Sequence, residues 1–297
     1  MRPLLILAAT CSAAVLLAQN PVIGPWVDPV KDEPSGTHYK TFHSAIIDAE
    51  VSYLVWLPPD YEASPGKRYP VIYWLHGGGG TQRNGAFFVQ IYEAAMKRGV
   101  APPAIVMLLN GLRESNWVDS KDGKTPMEAV IVKDLIPHVD QTYRTIARRQ
   151  ARAIEGSSMG GWGALRLGFR RNELFGAVSG LQPAVVSEKD QPMKLPKRVF
   201  ETVYGADLDY FRLQTAWTVA EQNAVVVRKN TLVRIAVGDQ DDWTYEHLKP
   251  YHELLTRLEI PHEYIVVPGI KHDPVGVYRM MGDKGFEFFA KAFAKSK

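Results

Sequence analysis

The sequence predicts an α/β protein built on one mostly parallel central sheet, with antiparallel strands at its N-terminal end and helices on both faces. Three observations carry that expectation. Short apolar runs alternate with amphipathic stretches of roughly 10–15 residues, the pattern of βαβ units. Two early apolar runs follow one another with only a short polar break, which suits an antiparallel pair. No internal repeat, low-complexity tract or convincing linker interrupts the chain after residue 37. The 297 residues suffice for one large α/β domain or two small ones, and 46% hydrophobic with 23% charged residues is an ordinary globular composition.

The chain begins "MRPLLILAATCSAAVLLAQN", with one Arg, an apolar stretch from Leu4 to Ala18, then polar residues. This is the layout of a secretory signal peptide over residues 1–18, cut near Ala18 or Gln19, and implies a secreted or periplasmic protein. The stretch is shorter than the about 20 residues that cross a bilayer, and Thr10 before Cys11 does not suit lipoprotein attachment. An uncleaved anchor is the other reading. Cys11 is the sole cysteine, so the processed chain would have neither disulfide nor thiol chemistry. A net charge of +3, spread without a basic block, argues against nucleic acid and anionic membrane as partners.

After a loose segment over 19–37, "FHSAII" and "VSYLVWL" read as the antiparallel pair, joined across Asp48–Glu50. "PVIYWLHGGGG" is a buried strand ending in glycines. "FVQIYEAAMKRG" has helical spacing and a stop at Gly99. "PAIVMLLNG" is a strand. "PMEAVIVKDLIPHVDQTYR" sets Val130, Leu135, Val139 and Tyr143 near one helical face despite Pro137. "ARAIEGSSMGGWGALRLGF" reads as strand, tight turn, helix. "LFGAVSGLQP", "TLVRIAVGDQDDW" and "HEYIVVPGIKHD" supply further strands. "YEHLKPYHELLTRLEI" and "KGFEFFAKAFAKSK" are helices. Residues 181–215, rich in Pro, Lys and Asp with weak periodicity, look like a lid-like insertion over the strand ends. The catalytic domain is therefore expected over 38–297.

Gly156-Ser157-Ser158-Met159-Gly160 fits G-x-S-x-G centred on Ser158. A strand that reverses sharply into a helix strains its middle residue, and the flanking positions must lack side chains. Ser157 lacks the glycine spacing. A serine hydroxyl needs a base to act as a nucleophile, and on this arrangement the acid and then the histidine come later in the chain. Among the later histidines, His247 and His252 lie within a helical segment and His262 starts a strand. His272, in the loop after the last strand, has the right topology for the base. The acid belongs in Asp239-Gln240-Asp241-Asp242. Asp239 lies very near the strand end, Asp242 could cap the next helix, and Asp241 is the choice. "HGGGG", His76 to Gly80, follows a buried strand where a backbone N–H can hold an oxyanion. Gly78 is the expected donor, with Met159 as its partner. That loop lacks the Lys-Ser/Thr ending of a phosphate cradle. His76 reads as structural, since no second ligand stands at metal spacing, and no metal or cofactor is expected.

Taken together, "YLVWLPPDY", "YPVIYWLHGGGG", "DLIPHVDQTYRT", "IEGSSMGGWGAL", "IAVGDQDD" and "GIKHD" resemble the esterase D-like α/β-hydrolases. These are the carbohydrate esterase family 1 enzymes such as feruloyl and acetylxylan esterases, with S-formylglutathione hydrolases, mycolyltransferases and enterobactin esterases as cousins. The motifs run in family order from about residue 40 to 293. The resemblance implies an α/β-hydrolase fold with Ser158 as nucleophile, Asp241 as acid, His272 as base, and Gly78 and Met159 as oxyanion donors. It departs at Asp273-Pro274, where many members have an acidic residue and Trp.

The function expected is a secreted serine carboxylesterase acting through an acyl-enzyme on small-molecule or polysaccharide esters, such as feruloyl or acetyl esters of plant polysaccharide. An exported enzyme suits such esters better than formylglutathione. An acyltransferase with the same triad and an inactive binding module on the same fold are the alternatives. Trp117, Trp162, Trp217 and Trp243 could offer a sugar-stacking surface, though core packing is the ordinary use of most such residues.

Overall fold

The computed structural model describes residues 23–186 and 195–294. The signal peptide expected over 1–18 lies outside the described residues, as does part of the 181–215 insertion. No described helix is long and apolar enough to cross a membrane.

The strands are β1 (His38–Ser44), β2 (Ala49–Trp56), β3 (Val71–Leu75), β4 (Ile105–Leu109), β5 (Arg152–Ser157), β6 (Ala177–Leu181), β7 (Leu232–Gly238) and β8 (His262–Val267). They form one sheet in the order β1-β2-β4-β3-β5-β6-β7-β8. β2 runs antiparallel to β1 and β4, and every other neighbouring pair is parallel. This is the α/β-hydrolase architecture. The first hairpin turns earlier than its sequence suggests. Ile46 and Ile47 fall in the turn rather than in β1, and Asp48 takes a positive φ of 48° to close it.

Strands β3 to β6 are buried at every position, as expected when helices cover both faces of a parallel sheet. Alternation along β3 shows how. Val71, Tyr73 and Leu75 join the core containing Leu165, Val219 and Leu254, whereas Ile72 and Trp74 join the one containing Phe88, Val277 and Phe289. The first cluster packs under α4 (Met159–Arg170), α7 (Ala216–Asn230) and α8 (Tyr245–Arg257). The second packs under α1 (Ala86–Lys97), α9 (Pro274–Met281) and α10 (Lys284–Phe293). Gly99 ends α1 as expected, with φ 77° and its N–H on Met96 O at 2.9 Å.

Pro137 does not break its helix. The segment runs from α2 (Met127–Ala129) through a π-helical stretch, Val130–Leu135, into α3 (Ile136–Thr142). The Ile136 N–H reaches Ile131 O, five residues back, and this widened turn precedes a proline that would crowd a regular one.

The structure differs from the sequence reading in two further segments. Residues 23–37 are tied down, not loose: Ile23 and Asp28 are buried, and Trp26 O accepts the Ser52 N–H at 3.0 Å. The insertion contains α5 (Lys197–Tyr204) and α6 (Leu208–Gln214). Val199, Phe200, Val203 and Tyr204 are buried at helical spacing, and Gly205 stops α5 in the left-handed region. A helix this short leaves a periodic signal easily hidden by its Pro- and Lys-rich flanks.

Beneath the carboxyl ends of the strands, Glu155 on β5, Ser179 on β6, Arg234 on β7 and Tyr278 on α9 form a buried network. Arg234 Nη2 lies 3.0 Å from Glu155 Oε1, and Arg234 Nε donates to Ser179 Oγ at 3.0 Å. Tyr278 and Ser179 also donate to Glu155 Oε1, and the guanidinium lies 4.3 Å from the Phe288 ring centre. Removing one member of such a pair strands a buried charge, at a cost of about 3–5 kcal/mol. Arg234→Met is expected to lose stability on that scale in urea titrations. The double variant Arg234→Met with Glu155→Leu should recover a large part of it.

Candidate active site

The site is built from the turn outward. Ser158 stands between β5 and α4 at φ 58°, ψ −118°, a region that residues with a side chain rarely occupy. A Cβ on Gly156 would lie 2.4 Å from the Gly160 carbonyl, and one on Gly160 would lie 2.0 Å from Leu75 O. Both glycines are thus demanded by the closeness of strand and helix. The serine backbone is pinned by its own N–H on Leu181 O at 2.9 Å. Its carbonyl accepts from Trp162 N at 3.0 Å and Ala184 N at 3.1 Å. Ser158 lines a cavity of about 450 Å³ together with Gly77, Gly78, Asn84, Trp243 and His272. Ser157 also reaches this cavity, but it is the last residue of β5 and lacks the strained turn.

His272 is the histidine that the loop after β8 delivers to the cavity. Its Nδ1 lies 2.7 Å from Asp241 Oδ2. A carboxylate only accepts, so Nδ1 carries the proton and Nε2 is left as the basic nitrogen. His252 and His262 instead bond each other at 2.7 Å, away from the cavity. The three aspartates separate as cleanly. Asp239 Oδ1 accepts the Gly269 N–H at 2.7 Å, a turn role. Asp242 is exposed. Asp241 is buried and meets His272.

The Asp241 carboxylate is a hub. Oδ1 accepts the N–H groups of Trp243 at 3.1 Å and Thr244 at 3.0 Å. Oδ2 accepts from Thr244 Oγ1 at 2.6 Å and Gln182 Nε2 at 2.8 Å besides His272. Burial alone would push this carboxyl up. The bonds from His272 and Thr244, with the imidazole charge, outweigh burial and hold it below the usual carboxylate range.

The glycine loop is oriented by His76. Fully buried, the imidazole is held neutral because burial pulls it down to about 4. Its Nε2 accepts the Gly111 N–H at 3.1 Å, and its Nδ1–H donates to Gly77 O at 2.8 Å. Gly80 N donates to the same carbonyl at 3.1 Å. In a trans peptide the N–H points opposite to the C=O, so the Gly78 N–H is turned away from these donors. The Gly79 N–H is spent on Arg113 O at 2.8 Å, whereas the Gly78 N–H has no acceptor among the described residues. Met159 is the first residue of α4, where backbone N–H groups lack partners within the helix. A Cβ on Gly78 would lie 3.9 Å from Met159 Cβ, so the two expected donors are neighbours.

Gln182 is a site residue that sequence reasoning missed. It is buried, with a positive φ of 46°. Its Nε2 joins Asp241 Oδ2 to Lys271 O at 2.6 Å, tying the acid loop to the residue before His272. The signal available was a lone polar side chain at the carboxyl end of β6 in "GLQP". In the sequence Trp243 is one tryptophan of several. Trp117 and Trp162 are core residues, Trp217 packs on Tyr251 with centroids 5.2 Å apart, and Trp243 is 42% exposed at the cavity. No cluster of three or more His, Cys, Asp or Glu side chains able to hold a metal occurs among the described residues.

The family model described as "Putative esterase" matches residues 44–297. An esterase of Mycobacterium tuberculosis is 29% identical over 265 residues, covering 82% of this chain and 57% of that protein. The chain thus spans little more than half the length of that relative. An endo-1,4-beta-xylanase/feruloyl esterase of Xylanibacter ruminicola is 34% identical over 132 residues, 41% of this chain and 18% of that protein. Among solved structures, a ferulic acid esterase superposes with a TM-score of 0.74 at 22% identity, covering 88% of this chain and 100% of that one.

Gln182→Met keeps the volume and removes both donated bonds. Each hydrogen bond to a charged group is worth about 1.5–3 kcal/mol, so stability in urea titrations should fall by about that amount. An Asp241 with fewer donors holds the imidazolium proton more tightly. The acid limb of the pH–rate profile should therefore move to higher pH, which a merely structural loss would not do.

Proposed function

The chain belongs to the esterase family, and from that premise we propose that it is a serine carboxylesterase that cleaves its substrate through an acyl-enzyme. The supporting observation is the convergence of three sequence-distant groups: a strained serine and an imidazole on one cavity, with a buried carboxylate bonded behind the imidazole. His272 Nε2 takes the proton of Ser158 as Oγ attacks the ester carbonyl carbon. The N–H groups of Gly78 and Met159 receive the charge that develops on the carbonyl oxygen. Collapse of the tetrahedral intermediate breaks the ester C–O bond, and the imidazolium returns its proton to the leaving alcohol. A water, deprotonated by the same imidazole, then releases the carboxylic acid and restores the serine. Asp241 holds the productive tautomer and stabilises the imidazolium without itself becoming protonated.

The substrate class we assign is a carbohydrate-linked or similar ester, with feruloyl and acetyl groups as the acyl candidates. The feruloyl esterase names among the relatives favour it, as does the leader-like N-terminus, which also supports a secreted or periplasmic protein.

Ser158→Ala should lower p-nitrophenyl acetate hydrolysis by about 10⁴-fold or more while the far-ultraviolet circular dichroism spectrum stays unchanged. Undiminished hydrolysis would show that another group attacks.

A further inference from the structure

We propose that Trp243 is the wall of an alcohol subsite, a platform on which the sugar ring of the leaving alcohol lies. The proposal rests on the roles given above to Ser158 and His272, and it adds which part of the substrate the exposed indole meets.

Trp243 is held where it stands by the acid loop. Its N–H donates to Asp241 Oδ1 at 3.1 Å, beside the Thr244 N–H at 3.0 Å. The ring meets the His272 imidazole edge to face, with centroids 5.0 Å apart at 78°. It is nonetheless 42% exposed. The other six tryptophans are buried or partly buried against the core, so this ring at the rim of the cavity stands apart from them.

Reaction geometry then decides which part of the ester it touches. The leaving oxygen must receive its proton from His272, so it lies within hydrogen-bond reach of that ring. The carbonyl oxygen is directed to Gly78 and Met159 instead. A side chain packed against His272 therefore borders the alcohol rather than the carbonyl. Pro274 and Val275 line the same cavity as Trp243, and the exposed Asp242 and Lys271 flank Trp243 and His272 in sequence. An exposed aromatic face with charged residues next to it in the chain matches a sugar ring, which presents C–H groups on its face and hydroxyls at its edge.

The test compares Trp243→Ala, Trp243→Tyr and the wild type on methyl acetate, methyl ferulate and an acetylated methyl xyloside. Alanine should lower the kcat/KM ratio of the sugar acetate to methyl acetate about tenfold, the scale of one aromatic stacking contact, with most of the change in KM. The ratio of methyl ferulate to methyl acetate should stay within about twofold, and tyrosine should restore much of the sugar preference. Using ratios removes any common effect of the substitution on His272. Losses that follow the acyl group, or equal losses on all three esters, overturn the subsite. Labelling with a fluorophosphonate separates the two readings. A wild type labelled at Ser158 with no change in ratio sinks the subsite alone, whereas a wild type that resists labelling sinks the esterase assignment and the subsite with it.

Discussion

A single backbone constraint organises this site: the φ 58°, ψ −118° conformation of Ser158. A residue with a side chain holds such a conformation only when its surroundings over-determine it, at a cost of about 1–3 kcal/mol. Here the surroundings are specific. Leu181 O, Trp162 N and Ala184 N fix the peptide on both sides, and the space for side chains at Gly156 and Gly160 is taken by the helix and by β3. The hydroxyl position follows from this packing.

The second element of order is the carboxylate of Asp241. Five donors converge on its two oxygens, from the loop that carries it, from Gln182 after β6 and from His272 after β8. Three loops at the carboxyl edge of the sheet are thereby fastened to one buried charge. Beneath them, Glu155, Ser179, Arg234 and Tyr278 link β5, β6, β7 and α9. The strands that precede Ser158 and Asp241, β5 and β7, are thus joined directly below the site by Glu155 and Arg234. His76 gives the glycine loop a comparable anchor from the other side.

Much of this was legible in the sequence, and the reason is local. The glycines around Ser158 are required by contacts within one strand–turn–helix unit, so five residues announce the turn. The alternation of apolar runs announces the parallel sheet for the same reason. What depended on distant partners was harder to read. Asp241 stands out from Asp239 and Asp242 only once His272 and Gln182 are beside it. Gln182 itself works through contacts to residues far along the chain. Short helices were missed where two turns leave little periodicity, as in α5 and α6. In α9 the start was visible but unread: Asp273 caps it by accepting the Val275 N–H at 3.0 Å, and Pro274 opens its first turn. The Asp-Pro pair that departs from the family pattern is thus a helix start.

The most direct measurement of the central claim is a crystal structure of the protein after reaction with a phosphonate ester inhibitor. A covalent bond is expected from phosphorus to Ser158 Oγ, with one phosphonyl oxygen about 2.7–3.1 Å from the backbone nitrogens of both Gly78 and Met159. A phosphorus bonded to any other residue, or a phosphonyl oxygen directed to solvent away from those two amides, would contradict it.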